Sequence, residues 1–333
     1  MPYGSAAAPG PGGALVIEVE PRSPFRLPAR RWPDGVARTR AGVYERFLHL
    51  DGAPILIRAW ERAGSGVAIA AMPVPPAWLD TRRLAGASAG RDQLEGALDC
   101  ARRALGVDDD LSEFHARFKR DPLLGPLIRR MPWLRPRRTA QLWEALAWAV
   151  TEQLIESTRA AQIQRRIVRR WGSSMRVPGA RAPLRDVPGP AEIAALAPAE
   201  LAAFDLAPKR ALALIKVARE VAAGRCDLST SATDRRLGSI SNIGPWTLQC
   251  LGLNGRGDLD SLPAGDLAYV KLVGHLAGLG RRATTAEVEE YYARFAPYRG
   301  IAGLLTLSGG LSSRVGKGRP LRYHPANPEF EAA

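Results

Sequence analysis

Cysteine is nearly absent from this chain: Cys100, Cys226 and Cys250 are the three in 333 residues. Odd in number and far apart, they frame neither a disulfide scaffold nor a C-x-x-C metal site. The four histidines, His49, His115, His275 and His324, fall in no ligand spacing, so no metal centre is expected. No apolar run is long enough to cross a bilayer, and no membrane partner is expected. The opening MPYGSAAAPGPGGA has neither the basic nor the apolar region of a secretory signal. A reducing cytoplasm is the expected home. Lysine is scarce too, found at 119, 209, 216, 271 and 317, so nearly all of the 47 basic residues are arginine. The net charge of +14 and pI near 10.5 favour a polyanionic partner. A genome biased toward arginine, alanine, glycine and proline would leave the same mark, so charge alone does not assign nucleic-acid binding.

What is present is ordinary for a globular protein: 46% apolar and 24% charged residues. The length suits about two or three domains. Residues 1–13 are rich in Gly, Pro and Ala and are expected to be disordered. Residues 14–110 read as a small α+β domain. Leu15, Ile17 and Val19 alternate with Val16, Glu18 and Glu20. Runs 43–50 and 54–60 flank Asp51-Gly52, a strong hairpin signal. A further strand is expected over 65–72, and a helix over 91–105 with Leu94, Ala97, Leu98, Ala101 and Leu105 on one face.

Residues 111–314 read as helical, in two subdomains with a cleft between them. The stripe Trp143, Leu146, Ala147, Val150 and Leu154 predicts a helix over 142–158. Another is expected over 208–223, closed by Gly224. Thr284-x-x-Glu287 is a capping box that opens a helix through Phe295. Pro297 separates it from a last helix ending near Gly309-Gly310. Residues 315–333 read as a loose basic tail, and no internal repeat is present.

Chemistry concentrates in 237–271, which contains LGSISNIGPWTLQC and LPAGDLAYVK. Ile240 and Ile243 look like apolar anchors, Gly244 supplies a permissive backbone, and Trp246-Thr247 open a helix. Helix starts carry unpaired N–H groups and partial positive charge, so they can hold a phosphate. Asp266 follows one helix later. This order and spacing resembles the helix-hairpin-helix DNA glycosylase superfamily, most closely the 3-methyladenine-DNA glycosylase II family. The family's hairpin reads roughly L-x-x-(I/L)-P-G-(I/V)-G-x-W-T-A. Here Ser241-Asn242 replaces Pro-Gly, and asparagine is the non-glycine residue best suited to positive φ. The resemblance covers most of 14–310 and extends to 114–136, 143–156 and 206–228. It implies an antiparallel sheet packed on helices in the N-terminal domain.

The resemblance implies further roles. Asp266 falls on the catalytic aspartate, which would stabilise the oxocarbenium-like sugar left as an N-glycosidic bond breaks. The residue-level alternative is a helix N-cap, and both can hold at once. Asn242, Ile243, Gly244 and Thr247 fall on the main-chain DNA clamp. Gln153-Leu154 falls on the pair whose apolar member fills the gap left by a flipped base. The alternative for Leu154 is the last core residue of its helix. Gln153, Trp246, Tyr298 and Arg299 fall on the substrate pocket. Trp246 stands where bifunctional members carry a lysine nucleophile, so no strand cleavage is expected.

The expected activity is thus excision of alkylated bases such as 3-methyladenine and 7-methylguanine from double-stranded DNA. The expected enzyme is a nucleoid-associated monomer. No cofactor is implied beyond a monovalent cation at the hairpin carbonyls. The pocket departs from the family: Cys250, Leu267 and Leu307 stand where aromatics are expected, and Glu156 where serine is common. Two rival readings follow, a damaged-DNA-binding protein with little or no excision and a glycosylase for another lesion.

Overall fold

A computed structural model of the chain describes residues 13–28, 32–64, 66–80 and 88–309. The expected disordered 1–12, the 315–333 tail, Ser65 of the 65–72 strand and Gly310 lie outside the described residues. The class is α+β, as expected. Five strands, β1 (Leu15–Val19), β2 (Ala37–Arg40), β3 (Val43–Leu50), β4 (Ala53–Glu61) and β5 (Val67–Pro73), form one antiparallel sheet in the order β1-β5-β4-β3-β2. The β3–β4 register pairs Leu50 with Ala53 across Asp51-Gly52, both at positive φ (49° and 79°). That is the two-residue turn whose twist suits a hairpin. Helix α1 (Arg91–Leu105) buries its predicted face on the sheet, with Leu94, Ala97, Leu98 and Ala101 in one core beside Ile55, Ile57 and Ile69.

The remaining helices are α2 (Ser112–Phe118), α3 (Leu124–Arg130), α4 (Leu142–Glu152), α5 (Ser157–Trp171), α6 (Pro190–Ala194), α7 (Pro198–Ala202), α8 (Pro208–Ala222), α9 (Asp234–Gly238), α10 (Pro245–Leu251), α11 (Leu267–Leu276), α12 (Thr285–Ala293) and α13 (Arg299–Ser308). They build two cores. One joins α4, α5 and α8 with Leu237, Ile243 and Leu251 of the hairpin. The other joins α2 and α3 with α11, α12 and α13, so the chain leaves this core at α3 and returns at α11. Thr284 and Glu287 form the predicted capping box, with Thr284 N donating to Glu287 Oε2 (2.7 Å) and Glu287 N to Thr284 Oγ1 (3.2 Å).

One boundary differs from the sequence reading. The helix expected over 142–158 stops at Glu152, and α5 starts afresh at Ser157. Leu154 adopts φ +57°, which no right-handed helix accommodates. Thr151 donates its hydroxyl to Trp148 O, and Arg210 Nη1 caps the carbonyl of Thr151 (2.8 Å). A short hairpin missed by the sequence reading, β6 (Ser174–Met175) and β7 (Leu184–Arg185), packs Met175 and Leu184 on Phe47 and Leu56 of the sheet.

The sheet is joined to the helices through a buried guanidinium. Arg46 of β3 is 1% exposed. Its Nη2 donates to Glu144 Oε2 and Asp186 Oδ1, both at 3.0 Å, and its Nη1 to the carbonyls of Val36 (3.1 Å) and Arg185 (3.3 Å). Burial opposes its charge, but Glu144 and Asp186 more than offset this and hold its pKa above the ordinary arginine value. Burial pushes the Glu144 carboxyl up to about 7 against the pull of Arg46.

Candidate active site

The hairpin is local chemistry made rigid. Ile240 N donates to Leu237 O, and Ile243 N to Ile240 O (both 3.0 Å), closing the turn between α9 and α10. Asn242 sits at φ +69°, the left-handed conformation that asparagine tolerates better than most residues. Ile243 is buried in the first helical core and pins the turn. Gly244 is the N-cap of α10 and Pro245 its first residue, a position where a missing N–H costs nothing.

The four residues expected to clamp DNA therefore divide. The main-chain N–H groups of Asn242 and Gly244 donate to no protein acceptor among the described residues. Those of Ile243 and Thr247 are spent inside the turn, on Ile240 O (3.0 Å) and Gly244 O (3.1 Å). Thr247 is 1% exposed, and its hydroxyl faces Gln153. The N–H of Trp246, which the sequence reading placed in the pocket alone, is left free in their stead.

Gln153 is likewise placed differently from the expected pocket role. Its Nε2 donates to Asn242 O (2.7 Å) and to Thr247 Oγ1 (2.9 Å). It ties the end of α4 to the hairpin. Leu154 follows at positive φ with its side chain fully in solvent, at 103% relative exposure. It belongs to no core cluster, which removes the packing explanation. Holding leucine in this conformation costs about 1–2 kcal/mol, and Gln153 and Arg210 supply the bonds that hold the surrounding loop.

Asp266 is the N-cap of α11, its Oδ1 accepting from Ala268 N at 2.8 Å. Its Oδ2 accepts the indole Nε1–H of Trp246 at 3.3 Å. The half-buried Asp266 carboxylate thus lies against the helix that the hairpin opens. Its charge reaches Cys250, whose thiol burial pushes well up, and Tyr269, whose hydroxyl burial also raises. Lys271 is exposed and forms no ion pair among the described residues.

Tyr298 and Arg299, expected in the pocket, have their partners within the fold. Tyr298 packs on Phe114 (5.4 Å between ring centres) and Phe118 (6.4 Å). Arg299 pairs with Asp260 through two bonds of 2.9 and 2.6 Å, anchoring the start of α13. Their partners lie far away in sequence, so adjacency to Pro297 could not reveal these roles.

Behind the hairpin, α4 borders a cavity of about 400 Å³. Glu152, Trp148 and Glu144 of α4 line it, with Cys250 of α10, Leu304 of α13 and Asp34 from the sheet domain. Asp266 is not in its wall, but its charge acts on Glu152 and Cys250, which are. Glu152 was missed by the sequence reading. No signal in the sequence marked it, because the predicted helix ran past it to 158 and its place at a helix end emerged only with the fold.

The fold, a sheet packed on a two-core helical body, is shared with solved DNA glycosylases. A solved 3-methyladenine DNA-glycosylase from Archaeoglobus fulgidus shares it, with a TM-score of 0.70 at 20% identity over 88% of this chain and 97% of that one. By sequence the chain is similar to a DNA-3-methyladenine glycosylase of Bacillus subtilis, 27% identical over 190 residues, or 55% of this chain and 62% of the relative. It is also similar to a probable bifunctional transcriptional activator/DNA repair enzyme AlkA of Mycobacterium tuberculosis, 26% identical over 308 residues, or 89% of this chain and 57% of the relative. The chain thus spans about three fifths of the length of the curated relatives it matches. No protein-family model matches it.

Proposed function

We propose that this protein is a monofunctional DNA glycosylase that extrudes alkylated purines from duplex DNA and hydrolyses their N-glycosidic bond. The observation that carries the reading is Asp266. One of its oxygens is fixed by the α11 cap, while the other lies 3.3 Å from Trp246 beside the hairpin. A carboxylate already oriented in the protein needs no reorganisation as positive charge develops on the sugar. It can also orient the attacking water. The free N–H groups of Asn242, Gly244 and Trp246 would hold a strand phosphate. The main-chain carbonyls of Gly238 and Ile243 accept no hydrogen bond among the described residues. They are the oxygen ligands a monovalent cation would take to brace this turn. Trp246 is no amine nucleophile, which supports base release without strand cleavage. Incubation with methylated duplex DNA is expected to release free 3-methyladenine or 7-methylguanine and leave an intact strand with an abasic site. Cleavage without added base or heat would overturn the monofunctional assignment, and no base release would overturn the enzyme.

Leu154 carries the extrusion step in this reading. Full exposure and positive φ are what a wedge requires and a core residue does not show. L154A is expected to slow excision by about tenfold or more, since the unstacked step loses a contact worth a few kcal/mol. Its melting temperature should stay that of the parent protein, whereas a core leucine would lose about 2–5 kcal/mol. Parallel excision assays and thermal melts check both halves.

A second reading is favoured by one observation, the buried Cys250 where the family carries an aromatic. Fewer rings weaken attraction for cationic bases. This reading expects salt-sensitive DNA binding in a gel shift with no base released.

A further inference from the structure

The cavity beside α4 holds a carboxylate that the reaction above does not use. Three acids line it: Asp34, Glu144 and Glu152. Two have strong partners. Glu144 is paired with Arg46 at 3.0 Å, while Asp34 accepts Trp148 Nε1 at 2.9 Å and Val36 N at 3.2 Å. Glu152 has no such partner. Among the described residues its only donor is the Gln164 amide, on Oε1 at 3.1 Å, and it forms no ion pair. Its position at the end of α4 sets it against the negative end of the helix dipole. Burial raises its pKa, the Gln164 bond opposes this, Asp34 and Asp266 raise it further, and Arg137 pulls it back. No group of three or more His, Cys, Asp or Glu among the described residues is disposed to hold a metal ion. For the fold alone a glutamine would make the same bond to Gln164 without the cost of desolvating a charge. Three arginines share the wall: Arg135 is bonded to the carbonyls of Gly106 and Pro24, Arg138 is paired with Asp109 at 2.8 Å, and Arg137 acts on Glu152 only at a distance. Among the described residues the Glu152 carboxylate is thus left without a cation in contact. The volume lies within the roughly 300–1,000 Å³ of small-ligand sites, and Trp148 lends an aromatic wall.

We propose that Glu152 is the specificity-determining residue of this cavity and selects extruded bases that carry a formal positive charge, N-alkylated purines, over neutral lesions of similar shape. This rests on the glycosylase reading and deepens it. Gln164 holds one oxygen, Oε2 is left to face the base, and a charge–charge contact in a partly dry cavity does what ring stacking does in an aromatic pocket. The test compares the parent protein, E152Q and E152D on duplexes containing either 7-methylguanine, a cation, or hypoxanthine, a neutral base. E152Q is expected to lose about tenfold or more in kcat/KM on 7-methylguanine and to change less than about twofold on hypoxanthine. E152D should keep part of the preference for the cation. A merely structural Glu152 would lower both substrates alike, and that result, or an unchanged ratio, overturns the proposal. If the parent protein releases neither base, the glycosylase reading fails by itself, and calorimetry with two free bases still decides the role of Glu152. Tighter binding of the 7,9-dimethylguaninium cation than of neutral 9-methylguanine, lost in E152Q, supports the proposal. Equal binding of the two, or binding of neither, overturns it.

Discussion

Replacing Asp266 by asparagine is expected to lower base release by about 10³-fold and leave the protein folded. The two halves follow from the two oxygens. Oδ1 caps α11 through Ala268 N, and asparagine caps about as well as aspartate, so α11 and its packing on Tyr292 and Ile301 survive. What is lost is the negative charge that, in the proposed reaction, stabilises the cationic sugar and orients water, and with it the oxygen that accepts Trp246 Nε1–H. Removing one oriented electrostatic group from a transition state typically costs 10²–10³ in rate; a full charge belongs at the upper end. DNA affinity should hold or rise, because a negative charge beside the turn proposed to hold a phosphate has been removed. Single-turnover excision, a melt and a gel shift on the same sample separate these effects. D266A makes the useful contrast, since it loses the cap as well and should give up about 1 kcal/mol of stability. An Asp266→Asn protein that excises at the parent rate would leave Asp266 as a cap and nothing more.

What the sequence made legible was short in range. The Asp51-Gly52 turn, the Thr284–Glu287 capping box and the positive φ of Asn242 each depend on residues within a few positions of one another. Local residue type decides such features. The end of α4 was not legible, because the apolar periodicity runs on through Leu154 and nothing in a leucine announces a left-handed backbone. Pairings made at long range were also hidden. Arg299 meets Asp260 39 positions away, and Arg46 meets Glu144 and Asp186 at separations of 98 and 140. Gln153 shows the intermediate case. Its importance was readable from its place before Leu154, but its partners, Asn242 and Thr247, could be known only once the hairpin was folded against α4.

Those long-range pairings predict the largest loss of stability. Arg46→Met is expected to destabilise the protein by about 3–5 kcal/mol, the usual cost of leaving a buried ion pair with one member. Methionine fills much of the space but leaves Glu144 and Asp186, 2% and 3% exposed, with no cation between them. The carbonyls of Val36 and Arg185 lose their donor as well. The pH dependence gives this prediction its sign. In the parent protein the folded-state pKa of Glu144 is about 7, above its reference value of 4.5. A raised carboxylate favours the folded state fully below the reference value, and that contribution fades as pH rises through about 7. Without Arg46 the charged form is less favourable still, so the folded-state pKa moves further up and the fade runs on to higher pH and deeper. The deficit of the variant, read from denaturant midpoints, should therefore shrink toward acidic pH and widen above neutrality. Adding Glu144→Gln should recover part of the loss, because it removes the charge that Arg46 had neutralised. A deficit independent of pH, or no recovery in the double variant, would mean that Arg46 acts through its volume and its carbonyl bonds, and that the join between sheet and helices is not electrostatic.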